Sequence, residues 1–371
     1  MKLNNPFLTR GYFGPDYFCD RAEETAKMVD FLTNEGDVTL IAPRRYGKTG
    51  LIHHVFGRLP KDYATVYLDI YATRNLADFT KMFASAVVGA LDTKVEKALS
   101  ATVKFFRNCR PTVTPQEIGF PKFSFDVVSS NAEATLRDAF EYLKAHDRRV
   151  VIAIDEFQQV LEYPEKGTEA LLRSFLQFLP SVRFVFSGSR QHLMREMFLS
   201  AKHPFYQSTD ILSLQPIDRT RYMEFARRFF VAKRKPFDEE SFYWVYDRFD
   251  GVTWYVQMVM RQLWIAGKGL PDRAAAEDMI EEIVETRRFE FFDLYAAQNE
   301  SSGQLLRALA AEGPVAEPLA GDFIARHDLR ATSTVSSALK DLLDRDLVYK
   351  MPTGYIVYDR FFGAWLRSLC C

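Results

Sequence analysis

Three groups of polar residues in this 371-residue chain stand at the ends of apolar runs, where side chains could meet a ligand. The first is the loop Ala42-Pro43-Arg44-Arg45-Tyr46-Gly47-Lys48-Thr49-Gly50, directly after Val38–Ile41. A glycine, a lysine and a hydroxyl in that order, between a strand and a helix, make a phosphate-binding loop. Its backbone N–H groups and the positive end of the helix would cradle phosphate oxygens. Lys48 would reach the β and γ phosphates, and Thr49 would supply a magnesium ligand. Gly47 allows close backbone approach, although Ala42 stands where the strict pattern has its first glycine. The loop therefore predicts binding of ATP with Mg2+.

The second group is Asp155-Glu156, which ends the run Arg148–Ile154. Ligands of open α/β sheets bind at the C-terminal edge of the strands, where these carboxylates would fall. Asp155 would anchor magnesium, directly or through water, and Glu156 would orient or deprotonate an attacking water. The third group, Ser187-Gly188-Ser189-Arg190, follows Val182–Phe186. Ser187 or Ser189 could sense hydrolysis beside the γ-phosphate, or simply mark a turn. Arg190 could stabilise developing charge or lie at the surface. Asp20-Arg21-Ala22-Glu23 has the spacing of a helix capping box.

These residues need a frame. The runs at Val38–Ile41, Thr65–Ile70, Val150–Ile154 and Val182–Ser187 are continuously apolar and separated by helical patterns, as in parallel strands covered on both faces. The fold expected is α/β, a P-loop NTPase core of parallel sheet over residues 1–210. A helical, aromatic-rich region over 211–299 would follow, its aromatics around Phe242–Trp264 forming core. The last segment, 300–371, reads as helices at Gln304–Ala311, Pro318–His327 and Ser333–Asp344 and a hairpin Leu347–Tyr358 turning at Pro352-Thr353-Gly354: a winged helix. The segment Thr102–Ser130, with Pro111, Pro115 and Pro121, reads as an irregular excursion.

Composition narrows the partners. Forty-eight Lys and Arg nearly balance 49 Asp and Glu, so no global field draws the chain to nucleic acid or an anionic membrane. Cys19, Cys109, Cys370 and Cys371 show no metal-binding spacing and suggest a reducing compartment. No run of about 18 apolar residues is present, so no membrane partner is expected and the cytoplasm is the default location.

The segments FCDRAEE (Phe18–Glu24), IAPRRYGKTGL, VVIAIDEFQQV, FVFSGSRQHLM and VYDRFFGAWL resemble the archaeal-type ATPases of the STAND branch of AAA+ P-loop proteins, with their bacterial relatives. The resemblance spans essentially the whole chain. It implies an ASCE-type core, a helical lid, a C-terminal winged helix and ATP as ligand, with Arg21 near the nucleotide's base. A nucleotide-dependent homo-oligomer is a further implication. Two positions depart from the pattern. Gln207 follows His203-Pro-Phe-Tyr where relatives often carry an arginine finger, and Gly251-Val252-Thr253 lacks the lid proline. Gly251 and Arg261 remain lid candidates.

In the winged helix, Thr334, Ser337 and Lys340 could face a DNA groove. Residues 301–371, however, carry eight Lys/Arg and eight Asp/Glu, with Asp341, Asp344 and Asp346 crowding the end of the third helix. A protein partner there is at least as well supported as DNA. The leading reading is a nucleotide-dependent ATPase switch with slow or partner-stimulated turnover. The alternatives are a DNA-binding, initiator-like regulator using ATP as a structural ligand, and a small-molecule phosphotransferase.

Overall fold

A computed structural model describes residues 3–91, 105–106, 109, 111–114, 122–351 and 353–369. Cys370, Cys371, Pro115, Pro121 and Pro352 lie outside them. The chain forms two compact units, Leu8–Tyr222 and a second made of the residues up to Phe7 with the chain from Met223 onward.

In the first unit, strands β1 (Val38–Ile41), β2 (Tyr63–Asp69), β5 (Arg149–Asp155), β6 (Val182–Gly188) and β7 (Asp210–Ser213) make one parallel sheet in the order β2-β5-β6-β1-β7. All four residues of β1, and Val150–Asp155 of β5, are buried, which is what their unbroken apolar runs require of central strands. Helix α1 (Ala22–Thr33) precedes β1, and α2 (Lys48–Phe56), α3 (Leu76–Leu91), α4 (Ala132–Lys144), α5 (Thr168–Leu176) and α6 (Gln191–Leu199) occupy the crossovers. The proline-bearing excursion contains an antiparallel pair, β3 (Pro111–Thr114) with β4 (Lys122–Phe125). Strand β7 escaped sequence reading. It is an edge strand of four residues with none fully buried, so it lacks the apolar run that marks the others.

One local expectation is corrected. Asp20 does not cap α1: the N-cap is Arg21, in left-handed conformation with no side-chain cap bond, and Asp20 instead accepts from Arg221 Nη1 at 2.9 Å. The spacing of a capping box was present, but the backbone turns the wrong way to use it.

The second unit holds α7 (Arg219–Ala232) from Met223 on, α8 (Glu239–Arg248), α9 (Thr253–Ile265), α10 (Arg273–Thr286) and α11 (Arg288–Ala296). The winged helix follows: α12 (Glu300–Glu312), α13 (Gly321–Arg326), α14 (Thr332–Asp344), the hairpin β8 (Val348–Met351) with β9 (Gly354–Val357), and α15 (Arg360–Ser368). Phe242, Phe249 and Tyr255 are buried core, as their clustering suggested. Phe7, fully buried, packs against Phe229, Phe230 and Trp264, and the Trp264 indole donates to Asn4 O at 2.8 Å. Among the described residues no helix is long and apolar enough to cross a membrane.

Candidate functional site

The C-terminal ends of β1, β5 and β6 share one edge of the sheet, and the three polar groups read from the sequence follow them there. After Ile41 the chain enters the loop, and α2 begins at Lys48 with Gly47 as its N-cap. Gly47 (φ 86°) and Arg45 (φ 71°) are both left-handed. Left-handed residues at alternate positions can gather backbone N–H groups into an anion-binding nest, to which the helix adds its positive end. A Cβ built on Gly47 would meet nothing within 4 Å, so backbone conformation and not packing asks for glycine here, and the space above it is open. A Cβ on Gly50 would touch Phe18 at 3.4 Å, in ordinary contact. Pro43 contributes no N–H.

Lys48 is 7% exposed and donates to the carbonyls of Ala42 (3.0 Å) and Pro43 (3.2 Å), curling over its own loop. Burial pushes its pKa down. Glu156 and Asp155 hold it up, and Arg44 pushes it further down. Thr49 Oγ1 donates to Asp155 Oδ2 at 2.9 Å, so the hydroxyl and carboxylate expected at a magnesium ion already face one another. Hard oxygen donors of this kind suit magnesium.

Glu156 leaves β5 in left-handed conformation (φ 57°), strain that an ordinary strand end would not carry. Its Oε2 accepts from Ser189 Oγ at 2.7 Å, Ser189 N at 3.3 Å and Gln158 Nε2 at 2.6 Å. Arg44 Nε in turn donates to Ser189 Oγ at 3.2 Å, tying the phosphate loop to the carboxylate. Ser187 is fully buried at the end of β6, in register with Leu40, and its Oγ is an enclosed hydroxyl without a hydrogen-bond partner. Arg190 does not join the carboxylates: its Nη1 donates to Glu162 at 3.0 Å. Arg21 is 4% exposed, pairs with Glu24 at 2.7 Å and reaches the carbonyl of Tyr46 at 3.5 Å, beside the loop.

Three residues at this edge were not singled out from the sequence. Tyr67 OH donates to Asp155 Oδ2 at 2.8 Å, and burial together with that carboxylate pushes the phenol far up. The signal was faint: Tyr67 and Asp69 share a face of β2, and Asp69 lies in register with Asp155. Gln158 is buried and folds back on Glu156. Gly188 admits no side chain, since a Cβ there would lie 2.2 Å from Gln158 Oε1 and 2.5 Å from Met194 Sδ.

The sheet order sets β6 between β1, which carries the loop, and β5, which carries the acidic pair. That order, with the loop that follows β1, defines a P-loop NTPase fold, and a helical region and a terminal winged helix follow it in the chain. Residues 18–259, more than half the chain, match the ATPase domain family described as predominantly from Archaea, and the chain belongs to that family. Residues 289–368 match a family described as a probable winged helix domain.

Among solved structures, the chain is similar to a Walker-type ATPase of Pyrococcus abyssi, with 18% identity, a TM-score of 0.65 and coverage of 98% of this chain and 99% of that one. It also matches the ORC2 protein of Aeropyrum pernix (14% identity, TM-score 0.49, coverage 98% and 97%). A third match is RuvB of Thermotoga maritima (15%, 0.42, coverage 94% and 95%). The first likeness supports the fold, and the other two are too distant to carry an argument. No curated protein matches the chain in a sequence search.

Proposed function

We propose that this protein binds ATP with Mg2+ at the loop Ala42–Gly50 and hydrolyses it slowly, as a nucleotide-dependent switch whose state is relayed to its helical and winged-helix parts. The observation that carries the reading is the linked set Lys48, Thr49–Asp155 and Glu156–Ser189–Arg44, in which each charged or polar group has an internal partner that a nucleotide can replace. Lys48 would exchange the carbonyls of Ala42 and Pro43 for phosphate oxygens, which are stronger, charge-assisted acceptors. Thr49 and Asp155 would hold the magnesium ion, which when bound neutralises phosphate charge and polarises the bond to be broken. Glu156 would accept a proton from the attacking water. Ser189 and Gln158 position its carboxylate, and Arg44 ties that position to the loop that senses phosphate. Because Glu156 is held by its own neighbours, slow or partner-triggered turnover is the behaviour this arrangement supports. Arg21 is proposed to lie at the nucleotide's edge and Ser187 to report the γ-phosphate.

The test is ATP binding and turnover of the native chain, Lys48→Ala and Glu156→Gln. Lys48→Ala is expected to weaken ATP binding by about 100-fold, the loss of a buried charge-assisted contact of about 3 kcal/mol. Glu156→Gln is expected to bind ATP as the native chain does and to lose turnover by about 10²–10⁴-fold. Unchanged turnover in Glu156→Gln would overturn the assignment of the base.

A further inference from the structure

Within the second unit, three arginines converge on one small cavity. It measures about 230 Å³ and lies between the end of α8, β9 and α15, lined by Arg248, Arg360 and Arg367 with Asp247 and Asp250 among its other walls. Arg360 belongs to the closing VYDRFFGAWL motif, and nothing at the phosphate loop uses it. It is 8% exposed. Its Nη2 donates to Asp250 Oδ2 at 2.8 Å, Tyr349 OH at 3.2 Å and Met351 Sδ at 3.5 Å, while Nη1 is enclosed with no hydrogen-bond partner. Arg367 donates from Nη1 to Ala310 O at 3.0 Å. Burial pushes Arg367 down to about 10, and the like charges of Arg248 and Arg360 add to the effect. Arg248 is lowered by desolvation and by Arg360, with Asp250 opposing.

An enclosed charged donor without an acceptor is costly, and so is the crowding of like charges. A structure keeps such a group when something supplies the missing acceptor. We propose that the cavity is a second anion site, separate from the phosphate loop, and that it takes a small phosphate-type dianion: inorganic phosphate or the phosphate of a small monoester. Guanidinium groups are planar forks that match two oxygens of a tetrahedral oxyanion. The cavity has the volume of several waters at about 30 Å³ each, enough for such an ion and too little for a nucleotide with its hydration. Three guanidinium groups against two carboxylates leave a surplus of positive charge. Asp250 is already engaged by Arg360, so the acidic walls limit the ligand to a compact dianion and do not abolish the attraction. Bound there, the ion joins the end of α8, through Arg248, to α15, through Arg360 and Arg367, and fastens the winged helix to the helical region within this unit.

The experiment uses the full chain carrying Lys48→Ala, which weakens the phosphate loop and leaves the cavity intact. Inorganic phosphate and O-phosphoethanolamine are titrated separately by calorimetry at constant ionic strength, with melting followed in parallel. One-site binding by either probe is expected, with the melting temperature of the second unit rising by roughly 3–6 °C at ten times Kd. Arg367→Gln added to this background should weaken binding at least about 10-fold. Arg360→Gln, checked for native circular dichroism, should do the same. Binding of phosphate alone, or of the monoester alone, identifies the source and supports the site. No binding of either probe up to roughly 20 mM, a concentration beyond weak millimolar affinity, overturns the proposal. So does binding that neither arginine substitution weakens.

Discussion

The phosphate-loop edge and the arginine cavity handle buried charge in opposite ways. At the edge, Lys48 rests on two carbonyls, Asp155 takes hydroxyls from Thr49 and Tyr67, and Glu156 is held by Gln158 and Ser189. In the cavity, Arg360 leaves one nitrogen without an acceptor and repels two neighbours of its own charge. In the first region each charge has a partner it can trade. The second is held together under electrostatic tension that a ligand would relieve. Binding sites therefore need not look alike: one is recognised by contacts that can be exchanged, the other by a contact that is missing.

Substitution of one carboxylate in each region tests that contrast. Asp155→Asn should lower ATP turnover by about 100-fold or more through loss of the metal anchor. Its stability should fall by only about 1 kcal/mol, since asparagine still accepts from Thr49 and Tyr67 and only Glu156 N loses its acceptor. Asp250→Asn should do the reverse, leaving ATP turnover within about 3-fold and destabilising the second unit by about 1–3 kcal/mol. The value is reduced from that of a fully buried pair because Asp250 is 43% exposed. Phosphate should restore part of the loss. Urea denaturation and steady-state ATPase assays read both, and equal stability losses at the two positions would remove the distinction.

Packing at the edge gives a second check. Gly188→Ala should cost about 1–3 kcal/mol, because the added methyl must displace Gln158 and Met194, both buried. Displacing Gln158 also loosens Glu156, so turnover should fall with stability. A variant of native stability would show that this corner yields more than its geometry suggests.

A pH-dependent effect, vanishing in acid, concerns Asp37, at the opposite end of β1. Burial raises its pKa to about 6, against the bond from Phe184 N and the attraction of Arg183. A carboxyl whose pKa is raised on folding binds its proton more tightly in the native state. Its contribution to stability is therefore fully present below the ordinary value near 4 and is lost as pH rises through about 6. Asp37→Asn should thus match the native chain below about pH 4 and exceed it by up to about 3 kcal/mol above pH 7, measured by thermal unfolding across pH. A constant difference across that range would assign the effect to packing.

Much of this was legible in the sequence because it is written locally. The loop, the acidic pair and the serine group each follow a buried strand, and strand type and chain order suffice to bring them to one edge. Tyr67, Gln158 and Gly188 were not legible, since their roles arise from neighbours in space: strand register for the first, a reversal after a left-handed Glu156 for the second, and a meeting with α6 for the third. The unused box at Asp20 shows the converse. A local pattern can be complete and still be overruled, here by a left-handed backbone and by a partner 201 residues away. The arginine cavity joins positions from 247 to 367, and although Arg360 lies in a motif the sequence shows, only the fold brings it to Arg248 and Arg367.

The strand order also has a bearing on synthesis. Among the described residues strand β1 pairs with β6 and β7 alone, so the strand that leads into the phosphate loop finds its first neighbour there roughly 140 residues after it is made. At ribosomal rates that wait is about 10–30 s, during which Val38, Leu40 and Ile41 have no strand to pair with. Closing so long a loop is slow and entropically costly. The nascent chain would thus acquire its phosphate site late, after the helices of the first half have formed, and it is in that interval that a holding chaperone would find it.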